Sequence, residues 1–492
     1  MKRIPKEVER FFTKRSWKIA KFQRETWEAY EAGESGLVHA PTGTGKSLAA
    51  WMGPLISALK GGVGEGASTR GAKVLWVTPL RALAADTARS LETAARGIGL
   101  DWKVELRTGD TTSSVKARQK KQMPECLVTT PESLSVALSY REFQRSFSHL
   151  SCVVVDEWHE LISSKRGVQL ELCLARIRKL NTDLRTWGLS ATLGDPGLAL
   201  RCLMGVGGNG RLITTSFGKR YEIRSLLPDS VERFPWSGHL GLSLLPKVIR
   251  HIEKADTTLI FTNTRSQAEI WFDRLREARP AWKGELALHH GSISRDSRDA
   301  VEEGLKTGRL RCVVCTSSLD LGVDFQPVDQ VLQIGSPKGI GRLLQRAGRS
   351  GHRPGAASAI YCVPTNALEL AEIAAARVGQ EEGKLEPRLP LEGALDVLAQ
   401  HCVTLCLAEG FDADELFEEV RSSYAFRNLS REEWDWTLQF VSSGGAALKA
   451  YPQYRRVEAS KGKYKGTSRQ IAQRHRMSIG TISSDSSIHL GT

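Results

Sequence analysis

The stretch Ala40-Pro41-Thr42-Gly43-Thr44-Gly45-Lys46-Ser47 decides how the chain is to be read. It follows a short apolar run, Gly36-Leu37-Val38-His39, and opens into a helical pattern, Leu48-Ala49-Ala50-Trp51. A strand, a glycine-containing turn and a helix beginning near Gly-Lys-Ser make a phosphate cradle, because backbone N–H groups and the positive end of a helix face an anion. In such a cradle Thr42, Gly43, Thr44 and Gly45 shape the loop, Lys46 reaches the terminal phosphates and Ser47 can coordinate Mg2+. Ala40 stands where the strict pattern has its first glycine. The loop alone implies a bound nucleoside triphosphate; what the nucleotide drives is written elsewhere in the chain.

Downstream of the loop, apolar runs alternate with helical patterns. The runs are Val74-Leu75-Trp76-Val77, Cys126-Leu127-Val128, Cys152-Val153-Val154-Val155 and a shorter Trp187-Gly188-Leu189. Continuous Val/Leu runs separated by helices predict a parallel sheet covered on both faces. Functional groups then collect at the carboxyl ends of the strands. Each run indeed ends in a polar or special cluster: Thr78-Pro79-Leu80-Arg81, Thr129-Thr130-Pro131-Glu132, Asp156-Glu157-Trp158-His159 and Ser190-Ala191-Thr192. A Gly-rich stretch from Gly205 and the segment to about Pro246 read as a linker, after which the pattern starts again. Thr258-Leu259-Ile260-Phe261 ends in Thr262-Asn263-Thr264-Arg265, and Leu286-Ala287-Leu288 ends in His289-His290-Gly291. Cys312-Val313-Val314-Cys315 ends in Thr316-Ser317, and Val331-Leu332-Gln333-Ile334 ends in Gly335-Ser336-Pro337. This predicts a second α/β lobe with no phosphate loop of its own, so a nucleotide on the first lobe would be completed by the second.

The whole chain has 492 residues, 41% hydrophobic and 25% charged, with Lys plus Arg at 69 against 55 Asp plus Glu, a net +14. At about 100–200 residues per domain, that length suggests three or so domains. The basic surplus suits a polyanionic partner. Nine cysteines show no disulfide framework, and Cys312 and Cys315 lie three apart on a strand, facing opposite sides rather than one metal. His401, Cys402 and Cys406 fall on a helical core pattern. The start has no apolar signal region and no run approaches a membrane span, so a reducing cytoplasmic compartment is expected. From about Leu391 helical patterns replace the sheet pattern and suggest a small winged helix. Tyr451 to Arg476 is strongly basic with Tyr451, Tyr454 and Tyr464 interleaved, which suits a nucleic-acid strand or a solvated linker. The expected boundaries are 1–215 and 216–380 for the two lobes, 381–447 for the winged helix, and 448–492 for a basic linker and the beginning of a shortened β module.

Three further groups carry chemistry. Gln23, on a helical segment before the loop, could read an adenine edge with its amide. Asp156 leaves a buried strand toward the cleft and can hold Mg2+ opposite Ser47, while Glu157 can orient and deprotonate water; His159 stands two residues on. Gln345-Arg346-Ala347-Gly348-Arg349-Ser350-Gly351-His352-Arg353 offers several arginines on the second lobe, one of which could serve as an arginine finger.

These motifs, in this order, resemble those of superfamily 2 DExH-box helicases, and within them the large helicase-related (Lhr) proteins. Asp156 to Leu161 followed by Ser164-Lys165-Arg166-Gly167-Val168 looks closest to the bacterial ligase-associated DExH helicases. The resemblance implies two RecA-like lobes followed by a winged helix and a β-barrel that grip the tracking strand. It implies ATP and Mg2+ as cofactors, with Ser47, Asp156 and Glu157 as the metal site, Gln23, Gly322, Asp324, Arg349 and Arg353 joining the nucleotide site, and Lys46, Asp156, Glu157, His159, Gln345, Arg346 and Arg349 carrying hydrolysis. Strand contacts would come from Thr78, Pro79, Arg81, Thr108, Gly109, Thr130 and Pro131 on the first lobe. On the second they would come from Thr262, Asn263, Arg265, His290, Gly291, Thr316 and Ser317. Arg349 is the first choice of finger, because His352 stands where many relatives place a second one. The implied activity is ATP-dependent 3′–5′ translocation on single-stranded DNA and unwinding of tailed duplexes or RNA:DNA hybrids. A bacterial, nucleoid-associated monomer linked to DNA ligase, a repair nuclease and DNA repair is the implied setting. An RNA helicase or a nucleic-acid-binding scaffold with weak ATPase is the alternative. His475 to Ile482 looks like the beginning of the barrel.

Overall fold

The computed structural model describes residues 4–61, 72–215, 221–227, 240–320, 328–350, 358–444, 456–460 and 462–480. Two parallel sheets organise it. The first has seven strands: β1 (Gly36–His39), β2 (Val74–Val77), β3 (Val104–Arg107), β4 (Cys126–Thr129), β5 (Cys152–Val155), β6 (Arg185–Ser190) and β7 (Arg211–Thr214). Their order is β3-β4-β2-β5-β6-β1-β7 and every pairing is parallel. The apolar runs are continuous because both faces are covered. Val74 and Trp76 of β2, with Cys152 and Val154 of β5, pack into the core that holds the helix Lys46–Lys60. Leu75, Val77, Val153 and Val155 enter a second core on the opposite face with the helix Lys165–Leu180.

The second sheet repeats this plan with β8 (Tyr221–Ser225), β9 (Thr258–Phe261), β10 (Leu286–His289), β11 (Cys312–Cys315), β12 (Gln330–Ile334) and β13 (Ser358–Val363), in the order β10-β11-β9-β12-β13-β8. Cys312 and Cys315 lie in separate cores on its two faces. The stretch read as a linker therefore contains structure: β7 pairs with β1 at the edge of the first sheet, and β8 pairs with β13 at the edge of the second.

The C-terminal part differs from its expected layout. Helices Leu395–Cys406, Ala413–Arg421 and Arg431–Ser443 are followed by a hairpin of β15 (Val457–Ser460) and β16 (Lys463–Gly466), and β16 pairs back with β14 (Phe411–Asp412). The hairpin is thus the wing of the winged helix, not a linker entering a barrel. Tyr464, in the stretch read as suiting a nucleic-acid strand or a solvated linker, stacks on Phe411 with ring centroids 5.2 Å apart. His475 lies on the helix Arg469–Ser478 and meets Thr404 at 2.9 Å, fastening that helix to the domain. His401, Cys402 and Cys406 are buried in the winged-helix core. Tyr451, Tyr454 and the Ser-rich end lie outside the described residues.

The helix Lys165–Leu180 serves two bodies. Leu170, Cys173, Leu174 and Ile177 face the first lobe, while Val168 and Leu172 belong to the winged-helix core. Lys165 pairs with Asp396 at 2.7 Å, and the Ala425 N–H donates to the buried Glu171 carboxyl at 2.8 Å. The first lobe and the winged helix therefore share this helix, which contributes to the core on each side of it. Among the described residues, no helix is long and apolar enough to cross a membrane.

Candidate active site

The carboxyl ends of both sheets face one cleft. After β1 the chain enters the phosphate loop, where Gly43 and Gly45 sit at φ 79° and 87°. At Gly45 a side chain would be excluded twice over: the backbone is left-handed, and a Cβ would come within 2.6 Å of the Gln23 amide. The Gln23 amide N–H donates to the Gly45 carbonyl at 3.1 Å, and its oxygen accepts from the Ala20 N–H at 2.9 Å. The amide N–H of the expected base reader thus braces the loop, and its oxygen caps its own helix Lys21–Glu31. Thr44 Oγ1 and Lys46 Nζ both donate to the Pro41 carbonyl, at 2.7 and 3.0 Å. Lys46 is buried; burial lowers its pKa, while Glu157 and Asp156 act in the other direction.

Asp156 and Glu157 emerge at the end of β5. Glu157 takes a left-handed conformation at φ 45°, uncommon for a residue with a side chain and a mark of local strain. That turn brings its carboxylate beside Asp156. Burial, reinforced by the negative charge of Glu157, raises Asp156 to about 7, despite Lys46 and the Trp76 indole N–H, 3.4 Å from Asp156 Oδ2. Glu157 Oε2 is buried without a hydrogen-bond partner. A buried Asp156 carboxyl with a raised pKa beside the orphaned Glu157 oxygen fits a divalent cation, which would relieve both deficits. Ser47 and Asp156 would hold it, together with phosphate oxygens and water, since among the described residues no group of three His, Cys, Asp or Glu could do so.

His159 is fully buried between the lobes. Its Nε2 meets the amide of Gln345 from the second lobe, and its Nδ1 lies 2.9 Å from Ser190 Oγ. An amide N–H can only donate, so Nε2 is the acceptor and the proton resides on Nδ1, where it bonds the serine. Burial, with Arg388 and Lys46 nearby, outweighs Glu160 and lowers the imidazole to about 4, so it is neutral at pH 7. Gln345 also donates to Thr192 Oγ1 at 3.1 Å. One glutamine of the second lobe thus touches the chain after both β5 and β6 of the first.

Arg346, expected among the residues of hydrolysis, is bonded inside its own lobe. It is 1% exposed and bonds Asp320 through Nε at 2.7 Å and Nη2 at 3.0 Å, with Gln333 also accepting from it and Phe261 beneath. A guanidinium committed to a bidentate pair inside its own lobe braces the segment and does not face the cleft. Arg349 donates to the Asp320 carbonyl at 2.9 Å, on the same segment. Gly322, Asp324, His352 and Arg353 lie outside the described residues.

The strand-contact candidates divide in two. Thr78, Pro79, Thr108, Thr130, Pro131, Thr262, His290 and Thr316 are buried. Thr78 and Thr262 spend their hydroxyls on carbonyls, and Thr130 caps the helix Pro131–Leu138. These residues shape the strand ends. Arg81, Gly109, Asn263, Arg265, Gly291 and Ser317 are exposed at the same ends and can meet a phosphate backbone. Arg81 pairs loosely with Asp110 at 3.2 Å, and Asn263 donates to the Ser336 carbonyl at 2.7 Å. The sequence reading did not single out Asp320 as a partner of motif arginines, nor Glu160, Glu386 and Arg388, because each acts through a residue distant in the chain.

A phosphate loop and paired acids on one RecA-like lobe, met by a glutamine- and arginine-bearing helix of a second, define the core of a superfamily 2 helicase. Residues 20–198 match the DEAD/DEAH box helicase profile, 241–354 the helicase conserved C-terminal domain, and 379–491 the winged helix domain of large helicase-related proteins. The chain belongs to the large helicase-related (Lhr) family. It is 34% identical to the ATP-dependent helicase Lhr-Core protein 2 of Thermococcus barophilus, over 97% of this chain and 58% of that protein. It is 32% identical to the ATP-dependent helicase Lhr-Core of Methanocaldococcus jannaschii, over 99% and 58%. The solved structure of the Mycobacterium smegmatis helicase Lhr bound to ssDNA and AMP-PNP superposes with a TM-score of 0.85 at 31% identity, covering 97% of this chain and 62% of that one. The chain thus spans somewhat over half the length of these relatives.

Proposed function

We propose that this chain is an ATP-dependent motor that translocates 3′ to 5′ on single-stranded DNA and displaces the opposing strand of tailed duplexes or RNA:DNA hybrids. The observation that carries the reading is the bridge from Gln345 to His159 and Thr192, which makes nucleotide chemistry on the first lobe sensitive to the second lobe's position. Lys46 binds the terminal phosphates and Glu157 orients the attacking water and takes its proton. Arg349 neutralises developing charge once the lobes close, an effect worth about 10³–10⁵ in rate in P-loop enzymes. Mg2+, held by Ser47 and Asp156, would supply charge neutralisation between the phosphates. Exposed groups at the strand ends grip phosphates, so binding is largely sequence-independent and weakens with salt. The names of the relatives and the single-stranded DNA in the mycobacterial structure support a nucleic-acid track. A role in DNA repair alongside a ligase or nuclease, as a cytoplasmic monomer, is the setting proposed.

The test is ATP hydrolysis with and without matched DNA and RNA strands, followed by unwinding of 3′- and 5′-tailed duplexes. DNA-stimulated hydrolysis with unwinding of the 3′-tailed duplex is expected. Stimulation by RNA alone would replace DNA as the track, and hydrolysis indifferent to any strand would overturn the motor reading.

A further inference from the structure

Residues 382–394, between the second lobe and the winged helix, cross the first lobe at the seam where the two lobes meet. The Lys384 N–H donates to the Gly379 carbonyl at 2.8 Å as the chain leaves the second lobe. The backbone then lies directly on Gly194, two residues beyond Thr192: a Cβ there would meet the Leu385 and Glu386 carbonyls at 2.6 and 2.8 Å. Farther on, Arg388 faces Glu160 at 3.8 Å, and the Leu391 N–H donates to the Ile162 carbonyl at 3.3 Å. Between these anchors the Glu386 carboxylate accepts the backbone N–H groups of Ile340 and Gly341, the latter at 3.2 Å. Those two residues open the helix Ile340–Ala347, which carries Gln345 and ends just before Arg349. The helix has no capping side chain of its own; its N-cap is Gly339 at φ 136°. A cap supplied 46 residues downstream satisfies the orphan N–H groups and places negative charge at the positive helix end. Burial would raise the Glu386 pKa, but the N–H bonds from Ile340 and Gly341 carry it below the ordinary carboxylate value, so it is ionised at neutral pH.

We infer that Glu386 is a positioning residue for hydrolysis, and that the strap around it aligns the Gln345–Arg349 segment with the first lobe. The inference rests on the motor reading above. The strap's backbone is fixed beside Thr192 and Glu160, which neighbour Gln345 and His159 respectively, while its Glu386 side chain holds the helix that bears Gln345. A change in lobe spacing must therefore either carry the strap with it or release the cap. Nucleotide and nucleic acid make no contact with Glu386 in this scheme; it acts through the helix.

The experiment compares wild type with Glu386→Ala, Glu386→Gln and Gly194→Ala, measuring ATP hydrolysis with single-stranded DNA and amide hydrogen exchange at Ile340 and Gly341. In Glu386→Ala the stimulated kcat should fall about tenfold with KM for ATP within about twofold of wild type, the split expected when alignment and not binding is lost. Protection at the two amides should fall in parallel, with Glu386→Gln intermediate because one carboxylate charge and one acceptor are lost. Gly194→Ala leaves the cap residue intact but pushes the strap off the first lobe, and should lower kcat alike; it decides the matter if Glu386→Ala does not fold. Lost amide protection with unchanged kcat would make Glu386 a cap only and overturn the inference. A wild-type protein with no strand-stimulated hydrolysis would instead fail the motor reading, so the two failures are distinct.

Discussion

Gln345 of the second lobe hydrogen-bonds His159 of the first, across 186 residues of sequence, and that bond fixes the imidazole as a neutral Nδ1–H tautomer shared with Ser190. It links the segment after Asp156 and Glu157 to the segment that carries the arginines. Removing the bridge should uncouple the lobes without dismantling the phosphate cradle. Gln345→Ala is expected to keep nucleotide binding within about twofold and to lose on the order of tenfold in strand-stimulated kcat, about 1.4 kcal/mol of coupling. Equal loss in basal and stimulated rates would assign the bond to folding instead.

The same imidazole makes an acid-side prediction. Its folded pKa, about 4, lies below the ordinary 6.5, so the unfolded chain binds the proton more readily. The neutral ring's contribution is whole above pH 6.5, is lost as pH falls toward 4, and changes no further below that. Chemical denaturation between pH 7 and 4 should show His159→Gln with a shallower decline than wild type. Parallel curves would rule the histidine out as a source of acid lability.

Asp156, raised to about 7 by burial and by Glu157, is partly protonated at neutral pH before any cation arrives. Binding of Mg2+ with nucleotide favours the carboxylate and must expel that proton. Calorimetric titration at pH 7 in buffers of different ionisation enthalpy should register net proton release, and affinity should rise from pH 6 to pH 8. Binding enthalpies independent of the buffer would contradict it. Glu157→Gln, by contrast, should still bind nucleotide while strand-stimulated hydrolysis disappears; normal turnover would remove Glu157 as the base.

Two neighbouring arginines should fail in opposite ways. Arg346 is locked on Asp320, and breaking a buried ion pair from one side typically costs about 3–5 kcal/mol. Arg346→Ala should therefore lower the melting temperature of the second lobe. Arg349, more accessible, should lose hydrolysis in Arg349→Ala while DNA binding and melting stay close to wild type. A destabilised Arg349→Ala beside a stable but inactive Arg346→Ala would reverse the assignment.

The sequence made the cleft legible wherever chemistry sits at the end of a fully buried strand. β2, β5, β9 and β11 are short, fully buried and almost wholly apolar, and each terminal cluster, from Thr78 to Thr316, could be placed by the parallel-sheet rule. Edge strands were not legible. β7, Arg-Leu-Ile-Thr, buries only Ile213, and β8 only Ile223, so neither gives a run of apolar residues. The wing was hidden for a related reason. Lys463-Tyr464-Lys465 looks like a basic linker until β16 pairs with β14 and the tyrosine finds Phe411. Arg346 and Glu386 were opaque because their partners are set by tertiary packing, which local spacing does not encode.

That packing also joins the first lobe to the winged helix, and Glu171 lies at its centre. Its carboxyl is buried against the Ala425 N–H, and burial raises it to about 8 although Arg178 and Arg427 favour the charged form. The unfolded carboxyl titrates near 4.5, so the folded state holds its proton over a range in which the unfolded state has lost it. Stability from this group is whole below pH 4.5 and is lost as pH rises toward 8, by up to roughly 1.4 kcal/mol per unit. Glu171→Gln keeps an acceptor for Ala425 and cannot ionise, so its stability relative to wild type should grow steadily between pH 4.5 and 8. Urea denaturation at pH 5, 6.5 and 8, followed by the transition of the lobe–winged-helix unit, measures that slope. A constant difference across the three values would mean that Glu171 already carries its charge inside the interface, facing Arg427 of the winged helix, and that the domains are joined by an ion pair in place of a neutral carboxyl.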